Sequence, residues 1–252
     1  MLWIRYPFYL FGKIAALAFI FLGGGLLAAV IPFVQALLSA PPCERTQFLI
    51  HISFRFYIRV LQLFGLIHLK IEDAQNFTKL GGTIVIANHP SLLDVVILMA
   101  LIPKAQCIIK HELWDRGFLG GLLRKAGYIR NDLAPETLVK TCKASLDEGR
   151  CLIIFPEGTR TSPGALPQFQ RGFANIATLT ETSIQPVFID CNPPFLFKGE
   201  PWWHIPRQTP RFRIILGKRL DAHAYSLYGR RGIAARKLVK SLELYYEDRM
   251  RN

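Results

Sequence analysis

Thr83-Ile84-Val85-Ile86-Ala87-Asn88-His89-Pro90-Ser91-Leu92-Leu93-Asp94 changes character in its middle, and that change decides the fold class. The first half is a short apolar run rich in β-branched side chains, the pattern of a buried strand. Asn88 and His89 then stand at its end. Pro90 disfavours helical backbone at His89. Ser91 is a good N-cap, and Asp94 falls three residues on, in the first turn of the helix it starts. A buried strand that hands over to a helix through polar residues is the unit of an α/β sheet.

The same alternation continues outward. Further candidate strands are 68–72, 105–110, 151–155, 184–190 and 212–217. Helical patterns lie between them at 91–101, 113–125, 135–148 and 172–180, with a terminal helix over 232–249. The expected fold class is therefore α/β, a mostly parallel sheet flanked by helices. In such sheets ligands gather at the carboxyl ends of the strands.

His89 and Asp94 stand five residues apart, so one continuous helix would not put them on one face. With His89 outside the helix, the chain bends back. A first-turn carboxylate then holds one imidazole nitrogen, fixes the tautomer and leaves the other nitrogen to take a proton. This is the base and orienter of a triad with no serine or cysteine supplied by the chain. The alternative is an Asp94 that only caps its helix beside an incidental His89. A second strand runs into a polar turn at Cys151-Leu152-Ile153-Ile154-Phe155-Pro156-Glu157-Gly158-Thr159-Arg160. Gly158 permits close backbone approach, Thr159 offers a hydroxyl, and Arg160 offers a forked cation suited to phosphate. A surface turn closed by a Glu157–Arg160 pair is the alternative there.

Residues 1–67 read as an N-terminal membrane-anchoring part and 68–252 as the catalytic domain. Ile14 to Ile31 holds eighteen apolar residues without a charge, the lower limit for a membrane span. A signal peptide is the competing reading, because Arg5 and Lys13 precede the run. Its length and the poor cleavage site at Leu38-Ser39-Ala40-Pro41 weigh against that. Gly23-Gly24-Gly25 and Pro32 favour a hairpin in one leaflet over a simple span, with basic flanks on one side. From Thr46 to Ile67 a helix in the headgroup region would bury Phe48, Ile52 and Phe56 while Arg55 and Arg59 reach phosphates. Packing on the protein's own core is the alternative.

The 252 residues are 51% hydrophobic, and Lys and Arg outnumber Asp and Glu 31 to 18, a formal charge of +13. An apolar and basic chain points to an anionic surface. Without zinc-finger spacing, a Gly-rich RNA motif or a Lys/Arg block, lipid is the expected partner and nucleic acid is not. A basic surface kept for solubility is the alternative. No metal-ligand cluster stands out, and no metal is expected. The five cysteines form no C-x-x-C pair and read as buried free thiols in a reducing compartment. The expected location is the cell inner membrane, with the catalytic domain facing the cytoplasm.

Taken together, the motifs resemble the glycerolipid (lysophospholipid) acyltransferase family, typified by 1-acylglycerol-3-phosphate acyltransferases. Residues 88–94 match its N-H-x-x-x-x-D motif, and Phe155-Pro156-Glu157-Gly158-Thr159-Arg160 matches F-P-E-G-T-R in full. Ile184-Gln185-Pro186-Val187 is similar to its later apolar-Pro-apolar motif, and Lys110-His111-Glu112-Leu113 to its K-x-E-L segment. The resemblance covers roughly Ile71 to Gly217, with the motifs in order.

It implies an O-acyltransferase that needs no cofactor and takes acyl-CoA or an acyl carrier protein thioester as co-substrate. His89 is then the general base and Asp94 its orienter. Glu157, Gly158, Thr159 and Arg160 bind the acceptor's phosphate, and Lys110 belongs to the same site. One motif departs from the pattern. Where the family carries F-I-x-R, this chain has Tyr128-Ile129-Arg130-Asn131, so Arg130 serves by a register shift or the acceptor is not lysophosphatidate. An ordinary exposed charge is the alternative for Arg130. Arg171, before Gly172 at a helix start, is a further candidate anion ligand or a solvated charge. Trp202 and Trp203 suit either the headgroup level or the core. Thirteen Lys/Arg against five Asp/Glu from Lys198 onward suit anionic lipid, coenzyme A phosphates or an acidic carrier, or else a solvated helix face. Asn131 together with residues 169–178 also looks like acyltransferases linked to bacterial aryl-polyene lipid pathways. A thioester hydrolase and a non-catalytic membrane adaptor are the rival functions.

Overall fold

The computed structural model describes residues 7, 11–12, 42–201, 204, 206–227 and 231–251. The expected membrane segment Ile14–Ile31 and the pair Trp202 and Trp203 lie outside them. Among the described residues no helix is long and apolar enough to cross a membrane.

Seven strands form one sheet: β1 (His68–Ile71), β2 (Ile84–Ala87), β3 (Ala105–Ile109), β4 (Ile129–Arg130), β5 (Cys151–Ile154), β6 (Ile184–Asn192) and β7 (Arg211–Leu216). Their order is β1-β7-β6-β2-β5-β3-β4. The five from β6 to β4 run parallel, and β7 turns antiparallel to β6 with β1 parallel beside it. Among the described residues the helices with full bounds are α1 (Pro42–Leu63), α2 (Ala74–Phe77), α3 (Asp94–Leu101), α4 (His111–Trp114), α5 (Gly117–Lys125), α6 (Pro135–Asp147), α7 (Gly172–Thr180), α8 (His223–Ser226) and α9 (Arg231–Arg251).

Successive side chains of β2 point to opposite faces, and the two faces carry separate cores. Val85 and Ala87 join Tyr57, Ile58 and Leu61 of α1 and Ile97 and Leu98 of α3. Ile84 and Ile86 join Cys142 and Leu146 of α6, Phe173 and Ala177 of α7, and Leu238 and Leu242 of α9. The central strand is thus apolar on both sides because helices cover both sides. The parallel strands also align their carboxyl ends along one edge, and the polar residues of both motifs collect there.

Three departures from the expected elements have local causes. The single helix expected over 113–125 is two, α4 and α5, broken at Gly117 with φ +33. The chain folds back so closely that a Cβ on Gly120 would meet the Trp114 carbonyl oxygen at 2.0 Å. β4 is only two residues long and pairs with β3 alone. α1 begins at Pro42 and buries Ile50, Tyr57, Ile58 and Leu61 on the protein's own core. Phe48, Ile52 and Phe56, one helical step apart, remain 51%, 45% and 53% exposed beside the exposed Arg55 and Arg59. The two readings of this helix are therefore its two faces. All five cysteines are free, with Cys107, Cys142 and Cys151 buried.

Candidate active site

β2 delivers Asn88 and His89 to the carboxyl edge. The buried Asn88 carries the strand pairing one step further through its side chain: Nδ2 donates to the Ile189 carbonyl at 2.7 Å and Oδ1 accepts the Ile189 N–H at 2.8 Å. At His89 the chain leaves the sheet. Ser91 N–H donates to Asp94 Oδ2 at 2.7 Å, and Ser91 Oγ accepts the Leu93 N–H at 3.2 Å. This reciprocal capping turn starts α3 at Asp94, two to three residues later than the N-cap reading placed it, and aims the carboxylate back at His89.

The pair forms as the sequence suggested. His89 Nδ1 lies 2.9 Å from Asp94 Oδ2, with the Asp94 side chain fully buried and the His89 side chain 14% exposed. A carboxylate on Nδ1 favours the tautomer whose Nε2 is unprotonated and able to accept a proton. Burial pushes the Asp94 carboxyl up, while the bonds from His89 and Ser91 and the positive Arg160 work against that.

The second motif holds His89 from the other side. Glu157 Oε1 accepts the His89 backbone N–H at 3.0 Å, and the Thr161 N–H donates to the His89 carbonyl at 2.9 Å. Phe155 stacks on the imidazole with ring centroids 4.2 Å apart and planes 28° from parallel. Both peptide groups, the ring face and Nδ1 of His89 are therefore held by neighbours. The turn that supplies them contains Gly158 at φ +70, where a Cβ would meet the Gln170 amide nitrogen at 2.6 Å.

Glu157, expected among the anion ligands, is turned toward His89. It is 8% exposed, its carboxylate faces His89 and Asp94, and a phosphate brought beside it would meet like charge. Gly158 and Thr159 are exposed at the turn. Arg160 uses Nη1 on the Leu196 and Phe197 carbonyls at 2.7 and 3.1 Å, and Leu196 O also accepts the Leu92 N–H. That loop, with Leu196 at φ +52, is tied to both motifs.

Lys110 and Arg130 lie on neighbouring strand ends and Arg171 at a helix start. Lys110 is exposed where β3 passes into α4. Arg130 forms a forked pair with Asp132, Nε–Oδ1 2.8 Å and Nη2–Oδ2 2.5 Å, with its guanidinium 5.8 Å from the Trp114 ring centre. Asn131 Oδ1 accepts the His111 N–H at 3.0 Å and so fixes the start of α4. Arg171 is exposed at the start of α7. Among the described residues no group of three or more His, Cys, Asp or Glu is placed to hold a metal ion.

Sequence reasoning missed three contributors. Thr161 and Leu196 act through backbone atoms, which leave no side-chain signature. Tyr246 of α9 is fully buried, and its hydroxyl enters the β2–β6 seam, donating to Ile86 O at 2.7 Å and accepting from Val187 N at 3.3 Å. Pro186, in register with Ile86, brings no N–H of its own to this stretch of β6. A tyrosine among apolar helix residues was the only available hint.

Residues 68–190 match the family model described as acyltransferase. These 123 residues are just under half of the chain. The chain is 37% identical over 145 residues to the Helicobacter pylori 1-acyl-sn-glycerol-3-phosphate acyltransferase, covering 55% of this chain and 60% of that protein. It is 38% identical over 112 residues to the Cocos nucifera protein of the same name, covering 42% and 36%. The human 1-acyl-sn-glycerol-3-phosphate acyltransferase alpha is 28% identical over 158 residues, covering 60% and 53%. The chain thus spans between about a third and three fifths of the curated relatives it matches. The crystal structure of the 1-acyl-sn-glycerophosphate (LPA) acyltransferase PlsC from Thermotoga maritima superposes with a TM-score of 0.72 at 20% identity, covering 100% of this chain and 99% of that one. At that identity the likeness speaks for the fold. Both motifs that build the site fall inside the residues that match this family model.

Proposed function

We propose that the protein is an O-acyltransferase that moves a fatty acyl group from an acyl-CoA or acyl carrier protein thioester to the hydroxyl of a 1-acylglycerol-3-phosphate-like lysophospholipid. The observation that carries this reading is His89, held at Nδ1 by the buried Asp94. His89 Nε2 takes the proton of the acceptor hydroxyl as its oxygen attacks the thioester carbonyl. A C–O bond forms, the C–S bond breaks, and the imidazolium returns its proton to the departing thiolate. Asp94 stabilises the imidazolium in between. No nucleophile from the protein is needed, and the thiol of Cys191 at the neighbouring strand end is pushed up to about 12 by burial. Gly158, Thr159 and Arg160 would hold the acceptor's anionic group, with Lys110 and Arg171 as further cations. The apolar Ile14–Ile31 run and the exposed Phe48, Ile52 and Phe56 strip support attachment to a membrane; the proposed location is the inner membrane, with the catalytic domain on its cytoplasmic side.

One observation favours a second acceptor. Asp132 and Trp114 occupy Arg130, so a specialised bacterial lipid, such as an aryl-polyene precursor, is the second reading. Purified protein is supplied with a long-chain acyl thioester with and without lysophosphatidate, and thiol release is followed alongside lipid products. Acceptor-dependent release with diacyl product is expected. Equal release without acceptor would make the protein a hydrolase.

A further inference from the structure

The reaction above has no step for Glu157, although a buried glutamate is costly to keep at a site. Its Oε1 holds the His89 N–H at 3.0 Å, and its Oε2 is buried with no hydrogen-bond partner among the described residues. Beside it lies a cavity of about 160 Å³ lined by Glu157, Asn88, Thr161, Asp190 and Cys191 among others. One water needs only about 15 Å³, so the cavity has room for several. We infer that Glu157 is a positioning residue for His89 that works as a carboxylate and exchanges its proton with solvent through this cavity.

The physical basis is the strength of one bond. A hydrogen bond to an ionised carboxylate is roughly twice as strong as its neutral counterpart. A proton on Oε2 therefore loosens the hold on the His89 backbone without breaking it, and its loss tightens the hold. Burial pushes the Glu157 carboxyl up to about 7; the negative Asp94 adds to this and the His89 N–H opposes it. Asp94 faces it from the start of α3, Asp190 and Cys191 from the end of β6, Tyr246 from α9, and Arg160 stands on its own turn. Burial keeps the Cys191 thiol and the Tyr246 phenol neutral, so Asp94 is the like charge that acts on Glu157, and the imidazole of His89 is the other titratable group beside it.

The inference rests on the acyl-transfer reading for its kinetic consequence alone. The test uses the full chain in detergent micelles, with ¹³C-carboxyl glutamate and ¹⁵N-histidine, as wild type and Glu157→Gln. In wild type the Glu157 carboxyl signal and the His89 amide signal should move together with a midpoint near 7. In Glu157→Gln the His89 amide should lose that step. The variant's kcat should fall on the order of tenfold with its acceptor KM within about twofold of wild type, while the acid limb that belongs to His89 as the base stays in both proteins. A Glu157 carboxyl that titrates in the ordinary carboxylate range overturns the inference, as does a His89 amide that titrates alike in both proteins. A raised acceptor KM with unchanged kcat also overturns it, because that marks an anion ligand. If neither protein transfers acyl groups, the acyl-transfer reading fails while the two titrations still decide this inference.

Discussion

Asp94→Asn removes one charge and changes almost no volume, so the structure sets its consequences narrowly. Asp94 Oδ2 accepts two bonds, from Ser91 N–H at 2.7 Å and from His89 Nδ1 at 2.9 Å. An asparagine that turns its oxygen to this point keeps both bonds but points its NH₂ to where Asp94 Oδ1 has no hydrogen-bond partner among the described residues. Turned the other way, its NH₂ faces the Ser91 N–H donor and also donates to Nδ1. That forces the imidazole proton onto Nε2, where it blocks the base. The first arrangement stabilises the imidazolium less than a carboxylate does, and the second not at all. Loss of the general base's orientation and tautomer costs roughly 10²- to 10⁴-fold in kcat. At about 1.4 kcal/mol per tenfold this is about 3 to 6 kcal/mol of barrier. The assay is acyl transfer under saturating thioester, with circular dichroism melting as the control for folding. A folded Asp94→Asn protein whose kcat stays within tenfold of wild type would refute the reasoning.

Arg160→Ala should raise the acceptor KM by roughly 10-fold or more, the worth of a charge-assisted bond to an anion, in initial-rate measurements; an unchanged KM removes Arg160 from the acceptor site. Tyr246→Phe leaves Ile86 O and Val187 N without their buried hydroxyl partner and should cost about 1–3 kcal/mol in urea unfolding, with a loss under about 0.5 kcal/mol contradicting that role. Glu157 is raised from 4.5 to about 7 in the folded protein, so its contribution to stability is present below pH 4.5 and lost as pH rises through about 7. Melting curves of wild type should therefore fall relative to Glu157→Gln across that window, and parallel curves would refute it.

What the sequence disclosed depended on whether the deciding force was local. The strand over 84–87 and the turn into α3 were legible because apolar run, Pro90, Ser91 and Asp94 all act within a few residues. The His89–Asp94 pair followed from that turn. Gly172–Thr180 was placed with both ends correct. β4 was not legible, because two residues carry no period and only β3 beside them makes a strand. The contact of Glu157 with His89 was not legible for a related reason. As a residue type Glu157 suggested a polar turn, whereas its role is set by His89, 68 residues away in sequence. Thr161 and Leu196 contribute backbone atoms, so no residue identity announces them. Arg130 had the right chemistry for an anion, but Asp132 two positions on takes its fork.

The central claim is that His89 is the base of an acyl transfer. Its most direct test is turnover of acyl thioester and lysophosphatidate by wild type and His89→Ala at matched, verified folding, read as diacyl product by lipid mass spectrometry. The account predicts product from wild type and none above background from His89→Ala. Substantial product from a folded His89→Ala protein would contradict it.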